Sequence, residues 1–126
     1  MGYESRIIVA IRRNRQEYNW IYFEKLAQMY LSRVDYSLNF PAIFTKEVET
    51  EIYGDGYEEN SCDEYELTKD RYGDRCKYTD IQTVIDWLEN AENRDHYRRY
   101  TPAIAMLKAY AAEQWEGELV VIHYGY

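Results

Sequence analysis

The chain has 126 residues, 46% of them apolar and 17% aromatic, which matches one ordinary folded domain and excludes a disordered acidic tail. Its formal charge is −8, from 15 basic and 23 acidic residues, which speaks against a nucleic-acid binder that works through overall charge. No apolar run approaches the roughly 18 residues of a membrane span, and the N-terminus lacks signal-peptide order, so the expected location is the cytoplasm.

Along the chain, Ser5–Arg12 (SRIIVAIR) is apolar on both alternating faces, with Ile7, Val9 and Ile11 on one and Ile8 and Ala10 on the other. That suits a strand inside a sheet. In the following RQEYNWIYFEKLAQMYLSRV, the residues Trp20, Phe23, Leu26, Ala27, Tyr30 and Val34 fall at helical spacing and predict an amphipathic helix closed by Pro41. KEVETEIY then alternates strictly, with Val48, Thr50 and Ile52 opposed to Glu47, Glu49 and Glu51, which predicts a strand over 47–53. Gly54-Asp55-Gly56 marks a turn, and EYELTK and RCKYT read as short extended segments around RYGD.

Thr79, with Gln82 three residues on, predicts a capping box for a helix lined by Ile81, Val84, Ile85 and Leu88. Thr101-Pro102 predicts the start of a second helix that faces inward with Ile104, Leu107 and Ala111 and ends near Gly117. ELVVIHYGY closes as a strand. The predicted order is β-α-β-β-α-α-β in a single domain spanning 1–126. It predicts an α+β fold, an antiparallel sheet covered on one face by helices, with a split βαβ, ferredoxin-like topology as its specific form.

The opening MGYESR and the closing YRRYTPAIAMLKAYAAEQWEGELVVIHYGY resemble small proteins encoded by phages and prophages of Gram-positive bacteria. The resemblance carries no site residue across. It implies a context in which small acidic proteins act by binding host machinery, anti-CRISPR and other anti-defence inhibitors among them.

Chemical motifs are sparse. Cys62 and Cys76 are expected as reduced thiols for want of a secretion signal, and with His96 and His123 they give none of the paired spacings of a zinc site. His96, among Arg94, Arg98 and Arg99, reads as part of a solvated interhelical loop, and His123 as a structural histidine at a sheet end. From Asp55, DGYEENSCDEYE places Glu66 at the twelfth position of a calcium-type loop but has Tyr57 at the third and Asn60 where the bend needs Gly. No cofactor and no catalytic residue is assigned. The basic clusters 12–15 and 94–99 are expected to pair with acids elsewhere in the protein or to help a second protein contact.

The charge is segregated. Residues 47–66 hold nine carboxylates and no Lys or Arg, and the other 106 residues carry 14 acids against 15 bases, a balance of +1. On a strand, Glu47, Glu49 and Glu51 would stand about 6.6–6.8 Å apart, close to the roughly 7 Å between successive phosphates of one nucleic-acid strand. Tyr53, Tyr57 and Tyr65 interleave with the acids and offer rings that can be desolvated in a contact.

The expected binding face is therefore Glu47, Glu49, Glu51, Tyr53, Asp55, Tyr57, Glu58, Glu59, Asp63, Glu64, Tyr65 and Glu66. Its expected partner is a basic, nucleic-acid-binding host protein such as a CRISPR effector, with neither direct nucleic-acid binding nor a membrane involved. The competing reading is a small metal-dependent enzyme with its site in the acidic loop, or a regulatory phage protein with no link to nucleic acid.

Overall fold

The computed structural model describes residues 4–15, 20–32, 40–49, 52–53, 74–90 and 98–125. Strand β1 (Ser5–Arg15) is followed by β2 (Trp20–Ser32), a 3₁₀ turn (Phe40–Ile43), β3 (Lys46–Glu47), β4 (Ile52–Tyr53), β5 (Lys77–Asp80), helices α1 (Ile81–Glu89) and α2 (Tyr100–Ala111), and β6 (Glu118–Gly125). The sheet order is β3-β5-β6-β1-β2-β4. Every pairing is antiparallel except the short parallel contact of β2 with β4. The fold is thus α+β, with two helices against a five-stranded antiparallel sheet that carries β4 at its edge.

The segment expected to be the first helix is a strand. β2 pairs with β1 from Trp20 opposite Arg15 to Ser32 opposite Ser5. The physical reason lies in two register shifts. Val9 faces Ala27 while Ala10 faces Lys25, and Arg6 faces Tyr30 while Ser5 faces Ser32, so Leu26 and Leu31 are extra residues. Each bulge advances β2 by one residue without advancing β1, which breaks the strict alternation of a strand. Leu31 is buried on the helix side, where Leu26, Ala27 and Met29 also pack, while Phe23 is buried on the opposite side. Of the apparent helical stripe, Leu26 and Ala27 thus face the helices and Phe23 the opposite side, while Val34 lies outside the described residues.

With β1 and β2 joined as a hairpin, no helix crosses between them, and a split βαβ, ferredoxin-like arrangement is absent among the described residues. β1 and β6 pair in continuous register from Ser5 opposite Gly125 to Arg12 opposite Glu118.

One face packs against the helices. Its core contains Ile7, Val9 and Val121 from the sheet, Val84, Ile85 and Leu88 from α1, Ala103 and Leu107 from α2, and Phe40 and Phe44 around the 3₁₀ turn. Among the expected inward residues, Ile81 and Ile104 pack at the margin of this core, whereas Ala111 is exposed. Asp80, not Thr79, caps α1: its Oδ2 accepts from the Thr83 N–H at 3.0 Å and its Oδ1 from the Thr83 hydroxyl at 2.7 Å. Thr79 is buried in β5, while Gln82 bonds Asp86 along the helix. α2 starts one residue before Thr101, at Tyr100, after Arg98 with φ of +57°.

Gly117 (φ +125°) opens β6 instead of ending α2, which stops at Ala111. A Cβ there would lie 2.6 Å from Ile11 Cγ2 and 3.0 Å from the Arg12 carbonyl oxygen.

The other face is concave. β3 and β4 sit at opposite edges, yet only residues 48–51 connect them. Five residue steps reach about 18 Å at most, whereas five strand spacings on a flat sheet come to about 24 Å. The sheet must curl, and the rings of Phe23 on β2 and Tyr78 on β5 meet at 5.3 Å across the two strands between them. The predicted strand 47–53 is therefore two edge strands with a bridge between them, not one continuous strand. The hollow is filled by Ile8, Ala10, Phe23, Val48, Cys76, Tyr78, Val120 and Ile122.

Phe23 is fully buried at the centre of this second core. Phe23→Ala should cost roughly 3–5 kcal/mol in urea unfolding, and an unchanged midpoint would show that the concave core does not depend on it.

Candidate functional site

Three of the twelve residues expected to form the acidic face are described: Glu47, Glu49 and Tyr53. Glu51, Asp55, Tyr57, Glu58, Glu59, Asp63, Glu64, Tyr65 and Glu66 lie outside the described residues, as do Cys62 and His96. The described part shows how the acidic segment is attached to the sheet.

Glu47 is exposed on β3, opposite Lys77 of β5. Val48 points inward and is fully buried. Its N–H donates to the Cys76 carbonyl at 2.9 Å, and its own carbonyl accepts from Arg75 Nε at 2.8 Å. Glu49 points outward again, so the expected alternation holds over these three residues.

Glu49 is not a free acid. Arg12 Nε donates to its Oε1 at 2.9 Å and Arg12 Nη2 to its Oε2 at 2.8 Å, a two-pronged ion pair. The Tyr78 hydroxyl donates to Oε1 at 3.0 Å. Hydrogen bonding from Arg12 holds the Glu49 carboxyl below its ordinary range, against the opposing effect of burial. Burial first, and then donation to Glu49, push the Tyr78 phenol up to about 12. Arg12 also lies 3.8 Å from Glu118 on the neighbouring strand.

The charge of Glu49 is therefore compensated within the protein, and Arg12 is part of the acidic segment's support. Arg13 pairs separately with Glu24 at 2.8 Å. The sequence carries a signal for Arg12: it continues the alternation of Ile8 and Ala10, so a charged side chain was due on an apolar face. Its distant partner leaves no local trace.

β4, with Tyr53 beside Glu24 of β2, fastens the far end of the bridge to the opposite edge of the sheet. The acidic segment is thereby tethered at Lys46–Glu47, at Glu49 and at Ile52–Tyr53. It re-enters the described structure at Asp74 and Arg75.

His123 occupies a different place, on the helix side of β6. Its Nε2 lies 2.8 Å from Ser5 Oγ, and the rings of Phe40 and Phe44 approach at 5.7 and 5.2 Å. Ser5 and His123 are only 1% and 7% exposed, so this serine–histidine pair is closed to a substrate. Burial lowers the His123 pKa to about 4. Cys76 is buried in the concave core. Among the described residues no three His, Cys, Asp or Glu side chains gather as a metal set. No helix among them is long and apolar enough to cross a membrane.

No family model matches the chain, and no curated protein or solved structure matches it significantly.

Two measurements test this arrangement. A double-mutant cycle on Arg12→Gln and Glu49→Gln should give a coupling of about 1 kcal/mol, discounted for partial exposure, and zero coupling would mean that the pair does not hold the bridge. The second concerns His123, whose native pKa lies below its ordinary 6.5. The unfolded chain then binds the proton more readily, so the stabilisation is whole above that value and is lost as pH falls towards 4. From pH 7 to pH 5 the loss from His123 should be about 2 kcal/mol. His123→Gln should flatten that slope, and an unchanged slope would assign the acid sensitivity elsewhere.

Proposed function

We propose that this protein acts by binding: its acidic segment occupies a basic, nucleic-acid-binding surface of a partner and keeps nucleic acid off it. The observation that carries this reading is the charge segregation, nine carboxylates without a base in residues 47–66 on a chain otherwise near neutral. An acidic surface of this density draws a basic partner in by steering and is repelled by nucleic acid itself.

The attachment of the segment supports the same reading. Tethering at β3, Glu49 and β4 shortens the span over which the acids are presented, which lowers the entropy lost when a partner is engaged. Glu49 belongs to that attachment, so the contact surface is assigned to Glu47, Glu51, Asp55, Glu58, Glu59, Asp63, Glu64 and Glu66 with Tyr53, Tyr57 and Tyr65. The likeness of the chain's ends to phage-encoded proteins makes a host defence protein, such as a CRISPR effector, the first partner to try.

The test uses wild type and a Glu51→Lys, Glu58→Lys, Glu59→Lys, Glu64→Lys variant as baits in host lysate. Wild type should capture a basic nucleic-acid-binding protein, release it to added DNA or RNA, and lose it as salt rises and the Debye length shrinks from about 10 Å at 0.1 M to about 3 Å at 1 M. The reversed variant should stay folded and associate more slowly. Tyr57→Ala with Tyr65→Ala should raise the dissociation rate with little change in salt response. If the reversed variant captures the same protein as well as wild type, the acids are only a solvated surface.

A further inference from the structure

Residues 46–49 are fastened to the sheet by a short run of contacts. β3 is two residues long and lies at the end of the sheet, against β5. Past it, the Val48 N–H donates to the Cys76 carbonyl at 2.9 Å, and Arg75 Nε donates to the Val48 carbonyl at 2.8 Å. The last hold is the Glu49 carboxylate, which accepts both prongs of Arg12 and the Tyr78 hydroxyl. By contrast, β1 stays paired with β6 from Ser5 to Arg12. An edge stretch with so few backbone bonds opens at a lower free-energy cost than a central ladder, and it opens as a unit.

Arg12 decides how costly that opening is. Its side chain is 20% exposed against 38% for Glu49. A departing Glu49 regains water, whereas Arg12 would remain a largely buried cation without its anion.

A second carboxylate stands ready for it. Glu118 lies directly opposite Arg12 on β6, and its Oε2 is 3.8 Å from Arg12 Nη1, too far for a hydrogen bond but within ion-pair range. Closing the gap to an ordinary charge-assisted bond takes a side-chain shift of about 1 Å. The Glu118 side chain is 46% exposed, which leaves it room to make that shift.

We propose that Arg12 is a two-position latch: on Glu49 it holds residues 46–49 against the sheet, and when they lift away it passes to Glu118. Opening draws Val48 out of the concave core, where it is fully buried in company with Cys76 and Tyr78. It also frees Glu47 and Glu49, the first acids of the segment, from their hold on the sheet. This motion is a property of the fold and does not depend on what the acidic segment binds.

The test is hydrogen exchange of the full chain, followed by NMR with and without sub-denaturing urea. The Val48 amide reports the edge stretch, and the amides of Ile8 and Ile122 report the central strands. In the wild type, Val48 should be protected at least about tenfold less than those two and should respond less to urea, as a local opening does. Glu49→Gln should speed Val48 exchange by about fivefold, the worth of one part-exposed pair.

Glu118→Gln is the deciding variant, because it removes the acceptor of the open position. Val48 exchange should slow by about threefold, while exchange of Ile8 and Ile122 should not slow. If Glu118 only repels Glu49, its replacement slows all three amides together, and if it plays no part, none of them slows; either result overturns the latch. A wild-type Val48 amide that matches Ile8 and Ile122 in protection and urea response overturns it as well. Should Glu49→Gln not fold, the wild-type comparison and Glu118→Gln decide between these outcomes.

Discussion

Reach governs this fold. The chain leaves β3 at Glu47 and enters β4 at Ile52 on the other edge of a six-stranded sheet, a distance it cannot cover unless the edges approach one another. Curling the sheet creates a hollow on the side away from the helices, and the hollow is sealed by large side chains from strands that are not neighbours, Phe23 and Tyr78 above all. The bridge itself supplies Val48 to the filling. Two cores result from one sheet, and this explains why β1 reads as apolar at every position from Ile7 to Ile11.

The ion pair of Arg12 with Glu49 secures this geometry. It joins the centre of the sheet to the bridge, and Tyr78 adds a third strand to the same carboxylate. Such a pair fixes the position of the bridge more than it adds stability, because both side chains retain contact with water. It also separates two roles within one acidic segment. Glu49 faces the protein's own arginine, while Glu47, two residues earlier, projects to solvent beside Lys77. A residue count treats both as negative charges, although only one of them remains available to another molecule.

Much of this was legible in the residues. β1, β5, β6 and both helices follow from periodicity, since Ile7–Ile11, Val84–Leu88 and Val120–Ile122 sit where the pattern puts them. β2 was not, because bulges at Leu26 and Leu31 turn a period of two into spacings of three and four. Its run of Trp20, Ile21, Tyr22 and Phe23 has the aromatic and β-branched composition that strands favour. The helix caps erred by one and two residues because Thr79 and Thr101 are plausible caps in sequence, while burial of Thr79 leaves that work to Asp80 and the second helix is capped at Arg99. The acidic segment announced itself by composition alone. Its anchor did not, since Arg12 and Glu49 are 37 residues apart and meet only through the curl.

The pairing of β1 with β6 bears on how the chain comes to be folded. The first described strand is central to the sheet, and its partner on one side is the last, across more than a hundred residues. During synthesis β1 and β2 can close as a hairpin at once, but the open edge of β1 waits until β6, more than a hundred residues further on, has emerged. Through that interval an apolar, two-faced strand lacks its second neighbour. Completion of the sheet therefore follows the synthesis of β6, and until then the edge of β1 is open to pairing with another chain.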